Sequence, residues 1–355
     1  MADDIKHGSN ATSYLSDITE GTGLKVSVPS MIIGWTIGLA ALGALVALTL
    51  HFGDIEAFLK AVYATKLAWL LPAIALQVGT YVCVAATWSL ALANSKVHYR
   101  FSALFRLSVI ELFVNQALPT GGLSGTLVVV RGLSLRGVPS SVGTAALLIG
   151  AVSYYSAYLI TGLVAFGLLW LHGDLTGVWL ATFIAFVLMI SFVGGLILMT
   201  AWSGHKLLPK FMLKWSFIDR LPQLMEQVKS EFTRNTRVIG ETILLQASVF
   251  LLDAGTLYCI SHGVGAPVTF ANAYSSFMLA SVVATVAPIP LGLGTFEATS
   301  TAMLHALGAS TEGALAATLI VRGLTFWVPM IPGIWLLLRE NRLRPKDSMV
   351  RKPGE

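Results

Sequence analysis

The chain has 355 residues, of which 55% are hydrophobic and 12% are charged, and its mean hydropathy is +0.75. Soluble domains carry about 25% charged residues, so this composition excludes an ordinary soluble protein and indicates a membrane protein with several spans. The formal net charge of +5 does not indicate nucleic-acid binding, because the Lys and Arg residues fall in loops and tails, as expected of cytoplasmic segments.

In chain order, a polar segment over residues 1–30 comes first. We predict a disordered tail there, because a signal peptide would place its apolar run earlier. A membrane domain is predicted over residues 31–340 and a basic tail over 341–355. Apolar runs near the bilayer-spanning length of about 20 residues predict an all-α fold and a polytopic membrane protein. These runs cover approximately residues 31–52, 66–93, 101–118, 142–170, 176–201, 238–262, 268–289 and 312–338.

A hydrophilic insert over residues 202–237 separates the fifth run from the sixth and contains seven Lys and Arg residues. Lys206, Lys210 and Lys214 recur every four residues, with apolar side chains between them. This pattern predicts a basic amphipathic helix in the headgroup region of the membrane. The alternative is a plain positively charged cytoplasmic loop.

Two short segments rich in Pro and Gly interrupt the apolar runs, "NQALPTGGLSG" from Asn115 to Gly125 and "APIPLGLGTFE" from Ala287 to Glu297. Proline cannot continue a helix interior without cost, and glycine allows turns that other residues resist. Non-helical backbone at membrane depth is tolerated only where protein or a watery cavity buries it, so two breaks predict a central polar site. The predicted helix-break residues are Pro119, Gly121, Gly122, Pro290, Gly292 and Gly294.

The two breaks belong to a predicted internal repeat. Pro119 and Pro290 are 171 residues apart, and so are Gly137 and Gly308. We predict two related halves, over about residues 66–170 and 238–338, with chance matches among Gly and Ala as the alternative. Because the insert and the tail are both basic, both termini are predicted to be cytoplasmic, the halves inverted, and the broken helices re-entrant.

Ionisable residues inside the apolar runs are the candidates for chemistry, because each costs roughly 2.5–3.5 kcal/mol on insertion scales. The acids are Glu111, Asp253 and Glu297, and the bases are Arg106, Arg131 and Arg322. Three acids against three bases are consistent with internal pairing. The predicted substrate-binding residues are Asn115, Arg131, Asp253, Glu297 and Arg322.

Each candidate also has a purely structural interpretation. Glu297 and Arg322 could form a structural buried pair, Asp253 could simply bond a neighbouring helix, and Arg131 could be a cytoplasmic charge. Arg106 and Glu111 are five residues apart near a helix end, so an interfacial location is equally consistent with the sequence. The repeat register places Thr126 opposite Glu297 and Ala151 opposite Arg322, which predicts a site with an acid on one side only.

Catalytic and metal-binding motifs are absent from the sequence. It contains no His-Glu-x-x-His, no P-loop and no Cys-x-x-Cys, and Cys83 and Cys259 both lie inside apolar runs as expected of packing residues. We therefore expect no metal and no cofactor. The competing functional classes are a membrane-embedded lipid or glycan transferase, with Glu297 as its catalytic carboxylate, and an envelope-assembly protein.

With these residues in hand, the chain resembles the lysylphosphatidylglycerol synthase transmembrane-region family, which includes the flippase domain of the multiple peptide resistance factor. The resemblance rests on "NQALPTGGLSG" followed by Arg131, and on "PIPLGLGTFE" followed by "LHALG" and Arg322. It covers most of residues 30–340. The family pattern in the second break is similar to Pro-x-Pro-Gly-Gly-x-Gly-x-x-Glu, and here Leu291 replaces the first of those glycines.

The resemblance implies movement of a phospholipid or a lipid-linked headgroup between the leaflets of a bacterial inner membrane. Arg131 and Arg322 would attract the phosphate, and Glu297 and Asp253 would balance them, bind a cationic headgroup or carry a proton. The expected partners are membrane lipids, with a homo-oligomer left open. Since about 16 residues follow Arg339, no room is expected for the transferase domain of the synthase members.

Overall fold

A computed structural model describes residues 63, 65–117, 123–171, 177, 181, 184–188, 191, 235–287 and 292–342. These ranges are helical and contain no β-strand, so the all-α prediction is confirmed. The polar tail, the first apolar run, most of the fifth apolar run, residues 202–234 of the insert and residues 343–355 of the basic tail lie outside the described residues. The helices are α1 (Leu67–Asn94), α2 (Phe101–Ala117), α3 (Leu123–Ser134), α4 (Ser140–Leu171), α5 (Thr236–Gly263), α6 (Phe270–Val286), α7 (Thr295–Ala306), α8 (Thr311–Arg322) and α9 (Met330–Arg342).

Four stretches are long and apolar enough to cross a membrane, namely Leu67–Asn94, Ser141–Leu171, Thr236–Gly263 and Thr311–Leu337. A helix rises about 1.5 Å per residue and the hydrocarbon core is about 30 Å thick, so each of these stretches can span it. Their apolar side chains remain exposed on the outside of the bundle, as lipid contact requires; Leu71 and Leu244 are examples. The chain is therefore a polytopic α-helical membrane protein.

Two pairs of shorter helices flank the breaks. α2 and α6 have 17 residues each, α3 and α7 have 12 each, and the two members of each pair pack against each other. A helix of 12 residues is about 18 Å long, which is too short to cross the hydrocarbon core. The predicted break lies between the two members of each pair in the sequence, and Pro119, Gly121, Gly122 and Pro290 lie outside the described residues.

The described helices follow the same order of lengths in two successive stretches. α1 and α5 have 28 residues each, and α4 has 32, the length of residues 311–342. The turn after the third helix also matches, because the Val138 amide donates to Leu133 and the Ala309 amide donates to Leu304. These observations agree with the predicted register, and the duplication itself stays a prediction.

The main core lies where α1, α4, α6 and α8 surround α5. Some of the polar contacts between these helices are made by neutral side chains. Ser153 and Thr242 hydroxyls share a hydrogen bond of 2.7 Å, and the Tyr274 hydroxyl donates to the Thr161 carbonyl at 2.7 Å. Tyr158 stacks on Phe250 with ring centroids 5.1 Å apart.

On the other side, α9 packs against α2. Close approach there depends on Gly333, because a Cβ at this position would overlap the Phe113 side chain. This contact brings α2, from the first helix pair, beside the last described helix of the chain.

Candidate functional site

After the second break, two glycines with positive φ lead the chain into helix α7. Gly292 has φ +62° and Gly294 has φ +85°, a backbone region that other residues reach only with strain. A Cβ on Gly292 would also lie 2.5 Å from the Ala284 Cβ, so this glycine permits the chain to return close against α6. Gly294 is the N-cap of α7.

The contacts of Glu297 explain why an acid follows these glycines. One carboxylate oxygen, Oε2, accepts the Gly294 backbone N–H at 2.7 Å, while Oε1 accepts the Arg322 Nε at 2.7 Å. The side chain is 1% exposed. A carboxylate in the first turn is favoured by the partial positive charge of a helix N-terminus. Glu297 thus caps the helix that restarts after the break and joins α7 to α8.

Arg322 is held on three sides. Besides its bond to Glu297, its guanidinium carbon lies 4.7 Å from the centre of the Phe296 ring and 4.9 Å from that of Phe326. Its side chain is 15% exposed. Stacking against aromatic faces favours a partly desolvated cation. Glu297 and Arg322 thus form the buried ion pair that was the structural alternative in the sequence, and their predicted binding of substrate stays a prediction.

A π-helical turn over Gly323–Trp327 follows Arg322 directly, with the Val328 amide donating to the Gly323 carbonyl at 2.8 Å. Such turns are rare and often occur at functional sites. Gln116 at the end of α2 donates through Nε2 to the Thr325 carbonyl at 3.0 Å. Neither feature was predicted from the sequence, although Gln116 belongs to the "NQALPTGGLSG" motif.

At the first break, Asn115 has a positional role. Its Oδ1 accepts the backbone N–H of Gly125 at 2.9 Å, near the start of α3. A Cβ on Gly125 would overlap the Glu111 carbonyl oxygen and the Asn115 side chain, so the two helices approach each other closely. Asn115 therefore fixes the restarted helix α3 against α2.

Glu111 lies beside this contact. Its Oε2 accepts the Trp88 indole N–H at 2.9 Å, and its Oε1 accepts the Thr126 hydroxyl at 3.1 Å. The sequence left an interfacial location open for Glu111, whereas these bonds join it to both α1 and α3. Thr126 is the residue that the repeat register places opposite Glu297.

Asp253 lies on α5 and Arg131 on α3, whereas the Glu297–Arg322 pair lies on α7 and α8. Asp253 on α5 accepts the Gln77 Nε2 of α1 at 2.8 Å, and the same Gln77 nitrogen donates to Thr256 at 2.8 Å. No described hydrogen bond connects Asp253 with the Glu297–Arg322 pair. Arg131 is partly buried in the last turn of α3. Within the described ranges, no group of three His, Cys, Asp or Glu side chains could hold a metal ion.

Comparison with known proteins places this architecture in a family. Residues 35–333 match the family described as "Lysylphosphatidylglycerol synthase TM region". A "UPF0104 membrane protein" of Pyrococcus horikoshii is 23% identical over 323 residues, which cover 86% of this chain and 96% of that protein. A "UPF0104 membrane protein" of Methanothermobacter thermautotrophicus is 22% identical over 288 residues, which cover 76% of this chain and 83% of that protein.

The matched region contains both breaks, Glu297 and Arg322, the features on which the family resemblance was predicted. That prediction is confirmed, because the match extends over far more than half of the sequence. The chain belongs to the lysylphosphatidylglycerol synthase transmembrane-region family.

Proposed function

We propose that this protein moves a phospholipid or a lipid-linked headgroup between the two leaflets of the cytoplasmic membrane. The observation that carries the proposal is the buried Glu297–Arg322 pair at a helix break, where 2.7 Å contacts connect the acid to both the arginine and the start of α7. Charged groups at membrane depth mark substrate and ion pathways, and broken helices supply backbone donors for anionic groups.

The short helix pairs support a re-entrant arrangement. α3 and α7 are too short to cross the membrane, so α2 with α3, and α6 with α7, would each enter and leave on one side. If the insert and the basic tail are both cytoplasmic, the two halves are inverted around a common centre. The Gln116 contact to the Thr325 carbonyl supports such a centre, because it joins the first break to the turn after Arg322.

The geometry suggests how a headgroup would act on the second break. A phosphate that binds Arg322 competes with Glu297 for the guanidinium, because both are anionic acceptors. Release of Glu297 would leave its carboxylate bonded to the Gly294 amide in the break but no longer to Arg322 on α8. Headgroup binding would thereby loosen the contact between α7 and α8, with Arg131 as a second phosphate-binding residue and Asp253 bracing α1 against α5.

Transport rather than group transfer is the activity that this site supports, with membrane lipids as the partners. The sequence carries no nucleotide-binding motif, so movement would run down a gradient or couple to an ion. At each break a side chain accepts a hydrogen bond from the backbone where the helix restarts, Asn115 from Gly125 and Glu297 from Gly294. Such bonds can break and re-form as a site opens and closes around a headgroup.

The test is reconstitution of the purified protein into liposomes with fluorescent phospholipids, followed by chemical quenching of the outer leaflet. We expect faster exchange between leaflets in protein-containing vesicles, with a strong loss in the Arg322→Ala and Glu297→Gln variants. Glu312→Gln is the matched control, because it removes a partly exposed acid from the first turn of α8. Exchange equal to that of empty vesicles, or a new lipid species detected by mass spectrometry, would contradict the proposal.

A further inference from the structure

Glu111 differs from Glu297 in the partners of its carboxylate. Glu297 bonds a cation, whereas the described hydrogen bonds of Glu111 come from two neutral groups, the Trp88 indole and the Thr126 hydroxyl. A carboxylate inside a membrane domain is costly, and neutral donors compensate its charge only in part. An occupant that removes or balances that charge would stabilise the site.

On α2 and α3, the charged residues do not share the face that Glu111 and Thr126 use. α1 carries none, and Arg106 on α2 and Arg131 on α3 each lie five positions, about 140° around the helix, from Glu111 and Thr126 respectively. α9 carries Arg339, which lies over the Trp335 ring, followed by Glu340 and Arg342 at its end. On the described parts of α1, α2 and α3, the surroundings of Glu111 are therefore mainly apolar and neutral.

The hydroxyl of Thr126 gives this site a chemical property that Glu297 lacks. A hydroxyl both donates and accepts hydrogen bonds, whereas an indole N–H only donates. Thr126 donates to Oε1 of the carboxylate. If Oε1 takes a proton, the new O–H can donate to Thr126 Oγ1, which turns from donor to acceptor, while Trp88 keeps its bond to Oε2.

We propose that Glu111 is a proton-binding site at the first break, with the proton bound on Oε1 and Thr126 as its reversible partner. Binding and release then change only the direction of one hydrogen bond between α2 and α3. The predicted repeat places Thr126 in the position that Glu297 has in the second half. Because Thr126 bonds Glu111, the first half also has a carboxylate at this position, supplied by α2. As the coupling site of lipid movement, this role rests on the proposed function; as a proton site, it does not.

A proton fits this place better than a metal ion. Metal ions such as Mg²⁺ and Ca²⁺ require several oxygen ligands, and the described residues hold no group of three acidic, His or Cys side chains. Both carboxylate oxygens already accept a hydrogen bond. A single proton needs neither additional ligands nor the loss of either bond.

A spectroscopic titration tests the proton site without any transport. The difference in intrinsic fluorescence between the wild-type protein and Trp88→Phe isolates the indole that bonds Glu111. We expect this difference to change in one step with pH, and the step to disappear in Glu111→Gln. Glu241→Gln, which removes an exposed acid paired with Arg237, should keep the step. A step that persists unchanged in Glu111→Gln would overturn the proposal.

The Thr126 variants test its mechanism. Thr126→Ser keeps a hydroxyl and should leave the midpoint of the titration nearly unchanged. Thr126→Val removes the acceptor for the bound proton and should move the midpoint. Equal midpoints in Ser and Val variants would overturn the role of Thr126.

Coupling is measured in the same vesicles used for lipid exchange, with and without an imposed pH gradient. We expect Glu111→Gln to lose the response to the gradient and Glu111→Gln/Thr126→Glu to regain it, because the new acid takes the register position of Glu297. Glu111→Gln could instead keep the response to the gradient and lose exchange only of lipids that carry an amine. That result would overturn proton binding and would show that Glu111 contacts a headgroup. If no wild-type exchange occurs, the proposed function fails while the titration still decides the proton site.

Discussion

At the scale of single residues, the contacts of Glu297 and Arg322 show why ionisable groups occur in so apolar a chain. The pair is nearly removed from solvent, with exposures of 1% and 15%, and each charge has its partner at 2.7 Å. Removing one member of a buried pair leaves the other unpaired, which commonly costs about 3–5 kcal/mol. Replacement of both by apolar residues is often close to neutral.

Stability in detergent should therefore separate the pair from its members. We expect Arg322→Met to lower the melting temperature strongly, because Glu297 stays buried without its cation. Glu297→Leu/Arg322→Met should recover part of that loss, although the bond to the Gly294 amide is gone. Scanning fluorimetry measures both variants, and a double variant less stable than either single one would show that the pair itself dominates stability.

The glycines of the second break give a residue-scale prediction of their own. Gly294→Ala places a Cβ on a backbone with φ +85°, where an L-residue costs about 1–2 kcal/mol. We expect a lower melting temperature and slower lipid exchange. Gly240→Ala in α5 is the control, because a Cβ there meets no atom within 4 Å and alanine favours a helix. Equal effects of both substitutions would refute a special conformation at Gly294.

At the scale of elements, the π turn and the end of α2 form the described connection between the two breaks. The π turn over Gly323–Trp327 is wider than a turn of regular α-helix and leaves the Thr325 carbonyl for a side chain to bond. Gln116 donates that bond. The close packing of α9 on α2 at Gly333 holds that contact in place. The end of α2, next to the first break, is therefore in direct contact with the turn that follows Arg322.

Loss of this connection should affect coupling and stability together. Gln116→Leu leaves the Thr325 carbonyl without its donor, at a cost of about 1–3 kcal/mol for an unsatisfied buried group. We expect reduced melting temperature and reduced lipid exchange. Ser248→Ala serves as a control, because that exposed hydroxyl bonds only within its own helix. Unchanged exchange in Gln116→Leu would show that the two breaks act independently.

At the scale of the whole molecule, the predicted arrangement is two inverted halves with re-entrant helix pairs. Equal helix lengths and the matching turns at Gly137 and Gly308 support the repeat, whereas the inversion rests on the basic insert and tail. Membrane sidedness is a property of the chain in a bilayer, so accessibility from each side is the direct measurement.

Single cysteines test this topology in a variant whose Cys83 and Cys259 are replaced by Ala. We expect Gly204→Cys and Ser348→Cys to react with an impermeant reagent only from the cytoplasmic side. Pro267→Cys and Ala306→Cys, at exposed positions after α5 and at the end of α7, should react from the opposite side. Labelling of positions 204 and 348 from different sides would rule out the inverted arrangement.

Much of the fold could be predicted because hydrophobicity and helix length are local properties. The apolar runs at 66–93, 142–170 and 238–262 correspond to α1, α4 and α5 within three residues at each end. The pairing of Glu297 with Arg322 was one of two interpretations that the sequence left open, since opposite charges in an apolar chain favour contact. The roles of Asn115 and Gln116 were not predictable, because amide side chains carry no charge that identifies their partners in advance.

Local composition was enough to predict the class of protein, the membrane helices, the places where they break and the family, because bilayer thickness and backbone chemistry act on short segments. Which polar groups meet depends on how the helices pack, and no short segment contains that information. Glu111 shows this most clearly. Its distance of 15 residues from Thr126 along the chain gives no sign of contact, and the contact exists because the chain reverses at the first break and returns α3 against α2.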